Sequence, residues 1–421
     1  MPLVQVGLDK WLEGQTTGPT IVTRIRPVTK KGTKPVPPIT MMIPAGKGAT
    51  WGVDLRPGRY LFEAYLPSGE VTTLTATVKA RGNAPIVLQA PDSPHEWLSW
   101  QHLAGQGRPS PPRAAGPADG VGTAPAPPVA GPTDLEVVSL PVPILPALVE
   151  GWRSKTAAKL PWVPRPLPAR ANGGAALVDD GLTSYLFGPG AWALGDRAYA
   201  LVRRPPAGPP LLAVLPLPWS QADMSGDAPA DVLVDARAAL EGETREWPVT
   251  MSIVVRDNVM GPVIGYLTGG DLPAAARIVE TAVDLLYGKV ANPLAAAAGA
   301  YVLVRAHAQG KRPQWEPWLR NLRQWFTWLP DGSILDGWAS LRGIGRPQDV
   351  PAAAASFVEA VTRGLPFYSV GVRMLFDGLS RADGELQAGQ RPPGFDAALA
   401  TVRMLALRVH VGQPFTLIRL G

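Results

Sequence analysis

Between residues 20 and 90 apolar and polar positions alternate in short runs. "TIVTRIRPV", "PITMMIP", "WGVDL", "RYLFEAYLP", "VTTLTATVKA" and "PIVLQ" are rich in β-branched and aromatic residues, and Gly, Pro and Asn separate them. A period of two predicts strands, and strands at this spacing predict a small β-sandwich over residues 1–104. The pattern is strand-like again over 135–268, after the proline-broken "LPWVPRPLPAR". There "TSYLFGPG", "RAYALVRRP", "PLLAVLPLPW", "ADVLVDARA" and "PVTMSIVVRD" are the expected strands, with the helix-like "SLPVPILPALVEGW" on their edge.

From Asp271 the period becomes helical. "DLPAAARIVETAVDLLYG" has Asp271 as N-cap and Pro273 in its first turn. "NPLAAAAGAYVLVRAHAQG" has Asn292 as N-cap, Pro293 at the first helical position and Gly310 as its end. "EPWLRNLRQWFTWLPDG" is expected to run from Pro317 to Pro330, with further helices near 333–342, 350–363, 367–380 and 395–409. "DLPAAARIVETAV" (271–283) matches "DVPAAAASFVEAV" (349–361), down to the Asp-x-Pro cap. That marks a repeat of about two helical hairpins, similar to tetratricopeptide architecture.

Five tryptophans fall between residues 314 and 338. On a wheel of about 100° per residue, Trp318, Leu322, Trp325, Phe326 and Leu329 share one face, and Arg320, Arg323, Gln324 and Thr327 lie opposite. This predicts Trp318 and Trp325 in the core. Trp338 joins a second apolar stripe, and Trp315 plugs the helix entry. Trp328 falls on the polar side. It is either covered by a neighbouring hairpin or an exposed protein-binding anchor.

Composition refines this outline. Residues 105–134 hold eight prolines and six glycines and have no means of burying a core. They read as a tether reaching roughly 90 Å when extended, with Arg108 and Arg113 as candidate cleavage points. The chain has no cysteine, which excludes disulfides, thiolate metal sites and cysteine nucleophiles. "MPLVQVGLDKW" lacks the basic head and apolar core of a signal peptide. The longest apolar run, 294–304, is shorter than the roughly 20 residues a membrane span needs. A cytoplasmic protein is expected.

The net charge of +6 sits entirely in the N-terminal region, with eleven basic and five acidic residues up to Arg81. Arg24, Arg26, Lys30, Lys31 and Lys34 form a candidate basic patch for nucleic acid or an acidic partner. No aromatic residues interleave them for base stacking, so a solvated hairpin is the plainer expectation.

Catalytic signals are weak. "HEWLS" lacks the second histidine of a zinc protease, and His95, His102, His307 and His410 read as structural or surface residues. "AGKGATWG" (45–52) and "GPGAWALG" (188–195) lack the spacing of phosphate or dinucleotide loops, and no GxSxG elbow occurs. No metal or cofactor is expected.

Two resemblances add to this reading. "DLRPGRYLFEAYLPSGE" (54–70) resembles the late strands of carboxypeptidase-regulatory-like β-sandwiches, which implies a binding or spacer module. "NPLAAAAGAYVLVR", "WLRNLRQWFTWLPDGSILDGW" and "RGLPFYSVGVRMLFDGL" resemble a helical region of bacterial conflict and defence proteins found beside caspase-like (CHAT-type) peptidases. That resemblance implies an adaptor, regulator or proteolytic substrate. The combined expectation is a multidomain α+β protein: a basic β-sandwich (1–104), a Pro/Gly linker (105–134), a β-rich domain (135–268) and a helical-repeat domain (269–421). Its expected function is non-enzymatic interaction with a protein partner. A nucleic-acid binder or a cryptic enzyme is the alternative.

Overall fold

The computed structural model describes residues 2–9, 20–28, 38–44, 50–66, 71–90, 135–165, 176–179, 182–187, 193–220, 227–228, 230–240, 246–255, 264, 267, 282–307 and 313–421. The chain divides into two compact units, Met1–Pro109 and Ser110–Gly421. β-Sheets occupy the N-terminal half and helices the C-terminal half, so the protein is a multidomain α+β chain.

The first unit has seven described strands: β1 (Leu3–Asp9), β2 (Thr20–Pro27), β3 (Ile39–Pro44), β4 (Trp51–Asp54), β5 (Gly58–Tyr65), β6 (Val71–Val78) and β7 (Ile86–Gln89). They form two sheets, ordered β4-β1-β7 and β3-β2-β5-β6. Val4, Val6 and Leu8 of the first sheet share one buried core with Ile25, Ile43 and Phe62 of the second. The alternation of β2 explains its orientation. Thr23 and Ile25 are buried, while Arg24 and Arg26 keep partial contact with water. The Tyr60 hydroxyl donates to the Arg56 carbonyl at 3.0 Å and ties β5 to the Pro57-Gly58 turn before it.

The second unit begins with β8 (Leu135–Ser139), helix α1 (Ile144–Arg153) and β9 (Val163–Pro164). Next come β10 (Ala176–Asp179), β11 (Leu182–Phe187), β12 (Tyr199–Val202), β13 (Leu211–Val214), β14 (Trp219–Ser220), β15 (Asp227–Ala228) and β16 (Ala230–Asp235). The short helix α2 (Arg237–Leu240) and β17 (Thr250–Val255) follow, and β18 (Leu417–Arg419) lies near the end of the chain. The strands build sheets ordered β18-β13-β12-β8-β9 and β10-β11-β16-β17, plus the pair β14-β15. Every residue of β12 and β13 is buried, as in strands covered on both faces.

The helical region comprises α3 (Pro293–Ala306), α4 (Glu316–Trp325), α5 (Pro330–Arg342), α6 (Val350–Arg363), α7 (Ser369–Glu385) and α8 (Phe395–Ala406). The expected caps of α3 and α6 are present. Asn292 and Asp349 accept the Ala295 and Ala352 amides, each at 2.9 Å. Of the first copy of the repeat (271–283), residues 271–281 lie outside the described residues.

Helix α5 is buried along almost its whole length and packs on α3, α4, α6 and α7. Its first turn carries Asp331, fully buried, which accepts the Tyr301 hydroxyl at 2.8 Å and the Phe367 amide at 2.9 Å. Burial pushes the Asp331 carboxyl up, against the pull of those hydrogen bonds. The helices share one hydrophobic core with the sheets of 135–268, and β18 returns from the helical end to pair with β13. Arg197 fastens the two regions. It donates to the carbonyls of Trp328 and Leu365 and lies over the Phe367 ring. Among the described residues, no helix is long and apolar enough to cross a membrane.

Candidate functional site

Helix α4 organises the site. Glu316, Leu319 and Leu322 face inward at spacings of three. The helix stops at Trp325 because Pro330 starts the next one, and the turn 326–329 joins them. The carbonyls left free there are taken by Arg363 of α6, which bonds Arg323 O at 3.0 Å, Leu329 O at 3.2 Å and Phe326 O at 3.3 Å.

This geometry corrects the expected wheel. Trp318 and Trp325 are not core residues: they are 38% and 55% exposed. The helical wheel carried Phe326 and Leu329 past the real end of the helix and so rotated the apparent apolar face. Trp328 is half-buried instead, with edge contacts to Phe326 and Phe367, and a Cβ on Gly195 would meet its indole at 3.3 Å. Trp315 is buried as expected, and Trp338 packs on Phe357 while donating to the Met374 carbonyl at 2.8 Å.

One flank of α4 is aromatic. The Lys289 Nζ sits 3.8 Å from the Trp318 ring centre and 4.6 Å from that of Trp325. Tyr287 packs against Trp318 with centroids 4.7 Å apart. Lys289 is fully buried, and its amine has no hydrogen-bond partner among the described residues. Loss of water around the amine holds its pKa below the ordinary lysine value. Cation–π attraction to two indoles, about 0.5–2 kcal/mol each, partly offsets that cost. The outer faces of Trp318, Trp325, Tyr287 and Val290 remain open to solvent.

The other flank opens onto a polar cleft of about 380 Å³ between α4, α5 and α6. Arg320, Arg323, Gln324 and Thr327 line one side, and Asp336, Arg346, Glu359 and Arg363 complete it. Arg323 is fully engaged. It bonds Asp336 at 2.6 Å, Ser356 at 2.9 Å, and Glu359 through both Nε and Nη2. Burial of Arg323 opposes its charge, but these carboxylates outweigh it and raise its pKa. Arg346 reaches Asp336 at 2.6 Å because Gly343 and Gly345, both at positive φ, turn the chain back over α5. Both carboxylates in the cleft are therefore ion-paired with arginine. The cleft holds a surplus of cationic donors, which suits binding of anions rather than proton transfer.

Arg26 pairs with the buried Glu63, which lies opposite Arg24 across β2 and β5. Lys30, Lys31, Lys34, Arg108, Arg113, His95 and His102 lie outside the described residues. His307 packs edge-on to Trp315. His410 stacks on Trp247, where burial lowers its pKa. Among the described residues, no group of His, Asp and Glu is placed to hold a metal ion.

Sequence reasoning missed Lys289, Tyr287, Asp336, Arg346, Glu359 and Arg363. It had grouped Arg320, Arg323, Gln324 and Thr327 on one face, which was the available signal for the cleft.

Residues 262–417 match the family model of the Y4kD C-terminal domain. The match covers both flanks of α4. No curated protein and no solved structure matches the chain.

Proposed function

We propose that this chain is a non-enzymatic interaction protein whose helical region docks an acidic segment of a protein partner on the aromatic flank of α4. The observation that carries this reading is the pair of exposed indoles, Trp318 and Trp325, around the Lys289 amine, which has no hydrogen-bond partner among the described residues. Tryptophan is favoured as an interface anchor. Apolar residues of a partner would cover the outer faces of the indoles, and an acidic residue beside them would be drawn by the positive charge buried beneath the rings. The resemblance of this region to accessory proteins of defence loci makes a caspase-like peptidase the first partner to test. The chain would serve such a peptidase as adaptor, regulator or substrate.

The test mixes the full chain with a candidate caspase-like (CHAT-type) peptidase, active and catalytically dead, and reads intact mass and complex formation. A stable complex with the dead enzyme supports the adaptor or regulator role. A single cut between residues 105 and 134 supports the substrate role. Neither a cut nor a complex removes the peptidase as partner.

A further inference from the structure

From the cleft on the opposite flank of α4 we infer a binding site for a small, phosphorylated, hydroxyl-rich molecule of the sugar-phosphate class. The inference is independent of the docking surface above, because the two flanks share no residue. Four guanidinium groups line the cleft against two carboxylates. Arg323 and Arg363 are consumed by internal bonds, so their role is to hold the walls.

The surplus lies on Arg320 and Arg346. Among the described residues Arg320 donates only from Nη2, to Glu316 at 2.8 Å, and its side chain is 45% exposed. Among the described residues Arg346 donates only from Nη2, to Asp336, and its buried Nε has no partner. A buried donor left unmade is costly, and a ligand oxygen would satisfy it.

Two features choose the class of anion. The free donors come from two walls, α4 and the turn after α5, and a tetrahedral phosphoryl group accepts from several directions. A carboxylate presents two acceptor oxygens in one plane, where a phosphoryl group presents three in a tetrahedral array and carries more charge. The volume exceeds what a bare phosphate fills and falls within the range of small-molecule sites. Among the described residues no aromatic or aliphatic side chain lines it, so they offer nothing for a nucleobase to stack on. Gln324 and Thr327 supply an amide and a hydroxyl suited to sugar hydroxyls.

The experiment is titration calorimetry on the full chain with glucose 6-phosphate, inorganic phosphate, glucose and succinate. Both phosphates are expected to bind, the sugar phosphate more tightly, and glucose and succinate to give no binding heat. Arg320→Ala, at an exposed position, should weaken glucose 6-phosphate by about tenfold or more. Arg346→Gln should do the same, and Trp318→Ser with Trp325→Ser should leave binding unchanged. Absence of binding by either phosphate overturns the site. So does full affinity in Arg320→Ala, and succinate binding as tightly as glucose 6-phosphate overturns the phosphoryl assignment.

Discussion

The Lys289 ammonium lies 3.8 Å from the centre of the Trp318 indole and makes no hydrogen bond among the described residues. A cation without a counter-ion beneath exposed tryptophans is costly to keep in an isolated chain. Because desolvation lowers its folded pKa, this lysine contributes stability that is present above its unfolded pKa and lost as pH falls through the folded value. Its deprotonation should alter the emission of the adjacent indoles. The tryptophan fluorescence of the wild type should show a transition with a midpoint below 10.5, the ordinary lysine value, that is missing in Lys289→Met. A midpoint at or above that value would contradict the desolvated placement.

Asp331 is the polar anchor of α5. Asp331→Ala strands the Tyr301 hydroxyl and the Phe367 amide in the core, at about 1–3 kcal/mol for each unsatisfied group. Urea unfolding should therefore show a loss of about 3 kcal/mol or more. The raised carboxyl pKa also fixes a pH trend. The contribution of Asp331 is complete below the unfolded aspartate value and is lost as pH rises through the folded one. The stability gap between wild type and Asp331→Asn, read from the same unfolding curves, should shrink as pH rises from 3.8 through that folded value.

The Phe357 ring of α6 is held between Gly337 of α5 and Gly378 of α7. A Cβ at either glycine would fall inside the contact distance of the ring. Alanine at a helix interior gains about 1 kcal/mol over glycine in propensity. Overpacking costs about 1–3 kcal/mol, and here the blocking atoms belong to a buried ring rather than a flexible side chain. Gly337→Ala and Gly378→Ala should both lower the melting temperature. Each should do much less harm in a Phe357→Leu background, which a double-mutant cycle would measure.

Much of the fold was legible locally. Asn292-Pro293 and Asp349 capped the helices they were expected to cap, and the run "TIVTRIRPV" forms the expected strand, with buried Thr23 and Ile25 alternating with Arg24 and Arg26. The change of period at Asp271 was also plain in the sequence, but it does not reveal that sheets and helices share one core. That depends on long-range pairs such as β13 with β18. The candidate site was less legible for the same reason. Asp336, Arg346, Glu359 and Arg363 reach Arg323 only through the packing of three helices. The aromatic flank was misassigned because the wheel ran through a helix end that Pro330 marks as the start of α5. Proline terminates one helix as readily as it opens the next, so the sequence left both readings of that residue open.

Asp349 offers a smaller check on the same reasoning. Its carboxylate accepts the Ala352 amide in the first turn of α6. Asp349→Ala should cost about 1 kcal/mol in urea unfolding, with no effect on phosphate or partner binding.

The most direct test of the docking face compares partner affinity in two proteins that differ only at the exposed indoles. The catalytically dead caspase-like peptidase is immobilised, and the full chain is passed over it as wild type and as the Trp318→Ser, Trp325→Ser double variant. Two interface tryptophans at about 2 kcal/mol or more each predict a loss of several hundredfold or greater in affinity, with the fold of the variant intact by circular dichroism. Equal affinity of the two proteins would contradict the account and place the docking surface elsewhere on the chain.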